Sequence, residues 1–261
     1  MTDTIRVDLH CHSSASDGDH SPAYVAHSIA ATGALWGALT DHNSLGGQKQ
    51  FRAALAKRGL GSVTGLEIDA RWPGGPPLHL LGYGFEPENV PLLDALLTIQ
   101  QPWRVSTRHW LARVRSIMGR VPLPTRTCAP ARGDSSPPRP PSTSEAICLI
   151  HEAGGLVFLA HPLAGMGTVE RLDEILEWLQ PQGLDGLEAF HKQYSPMVQA
   201  ELQELAERRR LLTIAGSDFH GLHHSDGGSP GVDMPLVHWN RFLDALRVWQ
   251  AQTHSSFDPR S

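Results

Sequence analysis

Apolar positions along the chain follow two alternating rhythms. Short runs with few polar interruptions fall at residues 5–12, 36–40, 62–68, 78–83, 156–160, 186–190 and 211–215. Their length and composition suit strands. Between most of them, apolar residues recur every three to four positions, the spacing of one helix face. Helices are expected at 23–31, 45–57, 90–118 with a break near Pro102, 142–153, 169–179, 196–209 and 239–250. The punctuation agrees. Ser21-Pro22 supplies an N-cap and a first helical residue, and Gly33 a stop. Ser142 and Glu145 have the spacing of a capping box, and Gly154-Gly155 ends that helix.

Strand–helix alternation predicts an α/β fold with a parallel sheet or barrel. About seven units in 261 residues suggest a (β/α) barrel one unit short of the eight-fold form. The 62–68 and 78–83 runs, joined through Pro73-Gly74-Gly75-Pro76-Pro77, read as a hairpin. Residues 121–141 break the rhythm. Pro, Arg and Ser dominate there and no period survives, so a loop or disordered excursion is expected. The chain reads as one domain, 1–261, with that insertion and a C-terminal helix and tail from about residue 238.

Polar residues gather at the carboxyl ends of the strands. The first run carries Asp8, His10 and His12, with Asp17 in the loop behind it. The second ends in Thr40-Asp41-His42, and the third in Glu67. His79, His161, Glu188 with His191, and Ser217-Asp218-Phe219-His220 follow on the later strands. In α/β folds such ends face one ligand site. A lone strand-end histidine is usually structural. Five strand ends that each donate one are better explained by shared cations than by separately satisfied buried groups. His20, His27, His109, His151, His238 and His254 fall elsewhere and read as structural or exposed.

The donor set is imidazole and carboxylate without thiolate, which suits Mn, Fe or Zn. More than eight donors imply two or three divalent metal ions. Such centres hydrolyse phosphoryl or acyl compounds. Net charge is −5, which disfavours long nucleic acid as a partner. Cys11, Cys128 and Cys148 match no zinc-finger spacing, and no apolar run approaches a membrane span. A reduced, cytoplasmic protein is expected, with no membrane partner. Oligomeric state is not legible.

The stretches DLHCHSSASDG, ALTDHNSLGG, GLEI, AHP and GSDFH resemble, in order, the motifs of the PHP (polymerase and histidinol phosphatase) superfamily. The similarity is strongest to stand-alone bacterial 3′,5′-nucleoside bisphosphate phosphatase-like enzymes. It implies a distorted (β/α)7 TIM-like barrel with its metal site at the C-terminal strand ends. It also implies a grouping of ligands. His10, His12, Glu67 and Asp218 would hold one ion. Glu67, His79 and His161 would hold a second, and Asp17, His42 and His220 a third. The implied reaction is attack of a metal-bridging hydroxide on the phosphorus of a small phosphorylated, nucleotide-like metabolite.

Within that resemblance Asp218 and His220 are the catalytic candidates. Asp8 and Asp41 are expected behind the ligands, orienting histidines. An Arg-Pro-His element of the family is replaced here by Arg139-Pro140-Pro141. Arg139, His191 and Lys192 are therefore the candidates for substrate binding. His223 and His224 read as surface residues first. The rival readings are a C–N-cleaving amidohydrolase with the same metals and a non-catalytic, metal-stabilised PHP module.

Overall fold

The structure, a computed structural model, describes residues 3–99, 140–164, 168–221 and 228–255. Strands β1 (Thr4–Asp8), β2 (Trp36–Gly37) and β3 (Gly61–Ser62) alternate with helices α1 (Pro22–Ala31) and α2 (Gln48–Ala56). Strands β4 (Gly65–Ala70) and β5 (Leu78–Tyr83) follow, then α3 (Val90–Ile99). After the undescribed stretch come α4 (Thr143–Glu152), β6 (Leu156–Leu159), α5 (Val169–Leu179) and β7 (Gly186–His191). Helix α6 (Pro196–Arg209), β8 (Leu212–Gly216), β9 (Val232–Pro235) and α7 (Leu236–Ser255) complete the order. The expected helix beyond Ile99 and nearly all of the Pro-rich segment, with Arg139, lie outside the described residues.

The strands form two sheets, ordered β3-β2-β1-β9 and β4-β5-β6-β7-β8. The expected hairpin is β4–β5, and β5 also runs antiparallel to β6. Among the described residues the strands therefore do not form one ring of seven parallel strands, and no continuous ladder closes the sheets. They meet through single bridges, Cys11 with Phe219 and His42 with Glu67, and through the Leu9 amide on the Ala215 carbonyl at 3.0 Å. The reason lies in the polar residues. The first strand stops at Asp8 rather than at residue 12, because the backbone beyond turns its hydrogen bonds to neighbouring loops. Strand β9 was not expected. It is four residues long and ends in Pro235, but it pairs with Thr4–Val7 and buries Val232 and Met234.

Core packing holds both sheets on one apolar cluster. Tyr83, Phe158 and Phe242 meet edge to face, with centroids 5.6 to 5.7 Å apart. Phe242 comes from α7, which closes the end away from the polar rim. The α4 N-terminus carries both halves of the capping box, Ser142 on the Glu145 amide and Glu145 on the Ser142 amide. No helix among the described residues is long and apolar enough to cross a membrane.

Tyr83 ties this core to the rim. Its buried hydroxyl donates to the Leu9 carbonyl at 2.7 Å, one residue before His10. Tyr83→Phe leaves that carbonyl short of a partner and should destabilise the protein by about 1–3 kcal/mol. Urea unfolding checks this; a change below about 0.3 kcal/mol would show that the bond does not anchor the loop.

Candidate metal centre

Beyond β1 the chain stays extended for one more alternation. His10 and His12 point to one side, and Cys11 turns to a second apolar cluster with Val25, Phe51 and Phe219. The loop after β8 runs alongside. The His12 amide donates to the Phe219 carbonyl at 2.8 Å and the Asp218 amide to the His10 carbonyl at 2.9 Å. That pairing sets Asp218 beside both histidines. Gly216 lets the loops approach so closely, since a Cβ there would collide with Glu188 Oε1 and with the His10 Cβ. His42 reaches Glu67 because the Asn43 amide donates to the Glu67 carbonyl at 2.7 Å. The His161 amide is held on Glu188 Oε2 at 2.6 Å. Asn43, His161 and Asp218 have positive φ values of 50°, 25° and 55°. Such backbone is strained for residues with a Cβ, and three of the four non-glycine cases among the described residues sit at this rim.

The side chains converge. His10 Nε2 lies 3.1 Å from His12 Nε2, 3.2 Å from Glu67 Oε2 and 3.3 Å from Asp218 Oδ1. His12 Nε2 lies 3.0 Å from Glu67 Oε2 and 3.2 Å from Asp218 Oδ1. Donors about 2.1 Å from one ion sit roughly 3.0–3.4 Å from each other in octahedral or tetrahedral arrangements. These four atoms therefore have the spacing of a shared cation. A second group is His42, Glu67 and His79, with His161 Nε2 3.5 Å from Glu67 Oε1 and 3.2 Å from His79 Nδ1. A third is His12, Asp17, His42 and His220, where the rings of His12 and His220 stack at 4.0 Å.

The electrostatics point the same way. Among the described residues, Asp17, Glu67, Glu188 and Asp218 pair with imidazoles and with no Lys or Arg. Glu67 is fully buried, and the side chain of Asp17 is 43% exposed at the mouth. Burial opposes the charge on Glu67, but His42 and His10 outweigh it and hold the carboxyl well below its usual range. Asp218 is lowered against burial by His10 and His12, and Asp17 against burial by His220, His42 and His12. The imidazoles shift the other way. Burial lowers His42, yet Glu67, Asp69 and Asp17 push it up to about 10. Glu188 and Glu67 likewise raise His10 well above the ordinary value despite desolvation. The raised imidazoles, His10 and His42 among them, hold an extra proton that a cation would displace. His12 Nδ1 stays buried without a hydrogen-bond partner. The residues thus fit divalent cations.

The structure brings all nine expected ligands to one rim, and adds His12 to the third group and His42 to the second. It places the other candidates differently. Asp8 accepts from the Ser217 amide and hydroxyl and from the Gly231 and His10 amides. Asp41 accepts from Ser13 and Ser16. Both hold loops, and neither touches an imidazole nitrogen. The carboxylates that do so were missed: Glu188 on His10 Nδ1 at 3.1 Å and Asp69 on His42 Nδ1 at 2.9 Å. Strand parity was the available signal for Asp69, two residues past Glu67. Lys192 gives its ammonium to the Ser229 carbonyl and hydroxyl. His191 is buried, with Nδ1 accepting from the Gln193 amide at 3.2 Å and Nε2 unpartnered. His223 and His224 lie outside the described residues.

No protein-family model matches the chain. Curated relatives do. A 5′-3′ exoribonuclease of Haemophilus influenzae is 28% identical over 250 residues, 83% of this chain and 90% of the relative. A 3′,5′-nucleoside bisphosphate phosphatase of Chromobacterium violaceum is 30% identical over 251 residues, 82% of this chain and 87% of the relative. Among solved structures, an amidohydrolase from Chromobacterium violaceum with bound sulfate and no metal superposes with a TM-score of 0.71. It is 24% identical and covers 92% of this chain and 96% of its own, a likeness of fold. With 30% identity across most of both sequences, the chain belongs with the 3′,5′-nucleoside bisphosphate phosphatase-like phosphoesterases, within the PHP superfamily whose motifs its own sequence resembles.

Proposed function

We propose that the chain is a metal-dependent phosphoesterase acting on a small nucleotide-like phosphate, with its cations held by His10, His12, Asp17, His42, Glu67, His79, His161, Asp218 and His220. The observation that carries this is that the His10 and His12 nitrogens lie 3.1 Å apart and each 3.0 to 3.3 Å from Glu67 and Asp218, with no lysine or arginine among them. Bound divalent cations supply Lewis acidity toward phosphoryl oxygens and an activated water at neutral pH.

The protein's own groups do the rest. Asp218 is kept ionised, so it accepts a hydrogen bond from water rather than donating one. His220 sits beside it, with Nδ1 2.9 Å from the Asp218 carbonyl and Nε2 3.5 Å from Asp17. These two remain the candidates for handling protons. Burial holds His191 below the ordinary imidazole range, against the pull of Glu188. With Nδ1 accepting from the Gln193 amide, its N–H sits on Nε2, a neutral donor for a phosphate oxygen. Substrate enters from the side of Asp17 and His79, the more exposed members of the rim.

The exoribonuclease relative makes an RNA end the second substrate class. Net charge of −5 favours the smaller substrate. Phosphate release from 3′,5′-bisphosphonucleosides, compared with that from 5′-phosphorylated RNA oligonucleotides, both with manganese, decides between them. Faster turnover of the mononucleotide is expected. Turnover of neither by the metal-loaded protein would count against the reading.

His12→Ala removes a donor shared by two groups. Bound metal and phosphatase activity should each fall by at least about 100-fold, while circular dichroism keeps the native pattern. Unchanged metal content would remove His12 from the site. A second expectation concerns pH. His42 rises from 6.5 to about 10 on folding, so its favourable contribution is complete below pH 6.5 and is lost as pH climbs through about 10. Chelator-treated protein should therefore melt at falling temperatures across that window. Manganese-loaded protein should hold its midpoint, because cations and not protons then balance the carboxylates. Parallel melting profiles with and without manganese would contradict this.

A further inference from the structure

Asp69 belongs to none of the three donor groups, yet it sits between two of them. It follows Glu67 by two residues on β4, so strand alternation puts both on one face. Antiparallel pairing sets it directly opposite His79 on β5. Its Oδ1 lies 2.9 Å from His42 Nδ1 and 3.6 Å from His79 Nε2. The opposite nitrogens of those rings face Glu67, with His42 Nε2 3.4 Å from Oε2 and His79 Nδ1 3.0 Å from Oε1. One carboxylate thus lies along the outer edges of two imidazoles whose inner edges meet a second carboxylate.

A neutral imidazole carries one N–H and one lone pair, and only the lone pair can take a cation. A carboxylate beside one nitrogen keeps the N–H there and leaves the other nitrogen bare. Asp69 is itself fixed for this task. Its Oδ2 accepts from Asn43 Nδ2 at 2.8 Å, and its amide donates to Asn43 Oδ1 at 3.3 Å. Asn43 holds this pose from a left-handed backbone, φ 50°. Oδ2 is thus turned to Asn43 and Oδ1 to the outer nitrogens of His42 and His79, away from the three donor groups.

We propose that Asp69 is a positioning residue that sets the tautomers of two ligands. It fixes His42 with its proton on Nδ1 and favours the proton of His79 on Nε2, so that both rings turn a bare nitrogen toward Glu67. The inference rests on the metal-centre reading and deepens it.

Zinc is a diamagnetic probe of the full chain. Zinc affinity is measured by chelator competition, and ring tautomers by nitrogen-15 spectra of histidine-labelled protein, assigned with His42→Gln and His79→Gln. Wild-type protein should show His42 protonated on Nδ1 and His79 on Nε2. Asp69→Ala should lower zinc affinity about 10–100-fold and remove both ring N–H signals. Asp69→Asn keeps an oxygen for His42 and should recover part of the affinity, which a merely misfolded alanine variant does not explain. Zinc binding by Asp69→Ala within twofold of wild type, or zinc on His42 Nδ1, would overturn the proposal while leaving the metal centre standing. No zinc uptake by the wild-type protein would overturn both.

Discussion

Burying carboxylates without lysine or arginine is the constraint on which this structure turns. Glu67 and Glu188 are fully buried, and Asp218 is partly buried beside them. An ionised carboxylate in such surroundings needs an opposite charge and full hydrogen bonding, or it gives up its charge. Among the described residues the only counter-charges here are imidazoles, and each imidazole is cationic only while it holds a second proton. A cation shared among them would resolve the conflict in one step, meeting several carboxylate oxygens at once and letting the histidines be neutral, their ordinary state near pH 7.

The irregularities of the fold follow from that demand. Regular strands would pair their backbone to the rim and leave the side chains evenly spaced. Instead the first strand stops at Asp8, the second at Gly37, and single bridges at Cys11 and His42 replace longer ladders. The left-handed backbones at His161 and Asp218 belong to the same compromise. Strain is tolerated because a rigid apolar cluster lies directly beneath, with Tyr83 reaching up to Leu9. The buried floor of His10, His12 and Glu67 is fixed by this packing. The mouth, lined by Asp17 and His79, is more open.

Much of this was legible in the order of residues. The 3.6-residue period placed α5 and α6 to the residue, and the Ser142–Glu145 spacing located the α4 cap. Histidines at successive strand ends marked the rim, because side-chain direction at a strand end is set by local parity. The closure of the sheets was not legible, since antiparallel pairing of β5 with β6 depends on contacts across 70 or more positions, such as Leu80 with Leu159. Strand β9 escaped notice because four residues ending in Pro235 carry too little pattern. Asp8 and Asp41 were read as partners of histidine rings. They turn instead to backbone amides and hydroxyls, which a sequence does not position. Glu188 and Asp69 take that part because their strands aim them inward.

Glu67 would be shared by cations held also by His10, His12 and Asp218. Anomalous diffraction at the manganese absorption edge, from crystals grown with manganese, tests it most directly. The account predicts a peak within coordination distance of His10, His12, Glu67 and Asp218, with at least one further peak on the far oxygen of Glu67. Anomalous density that avoids Glu67 altogether would contradict it.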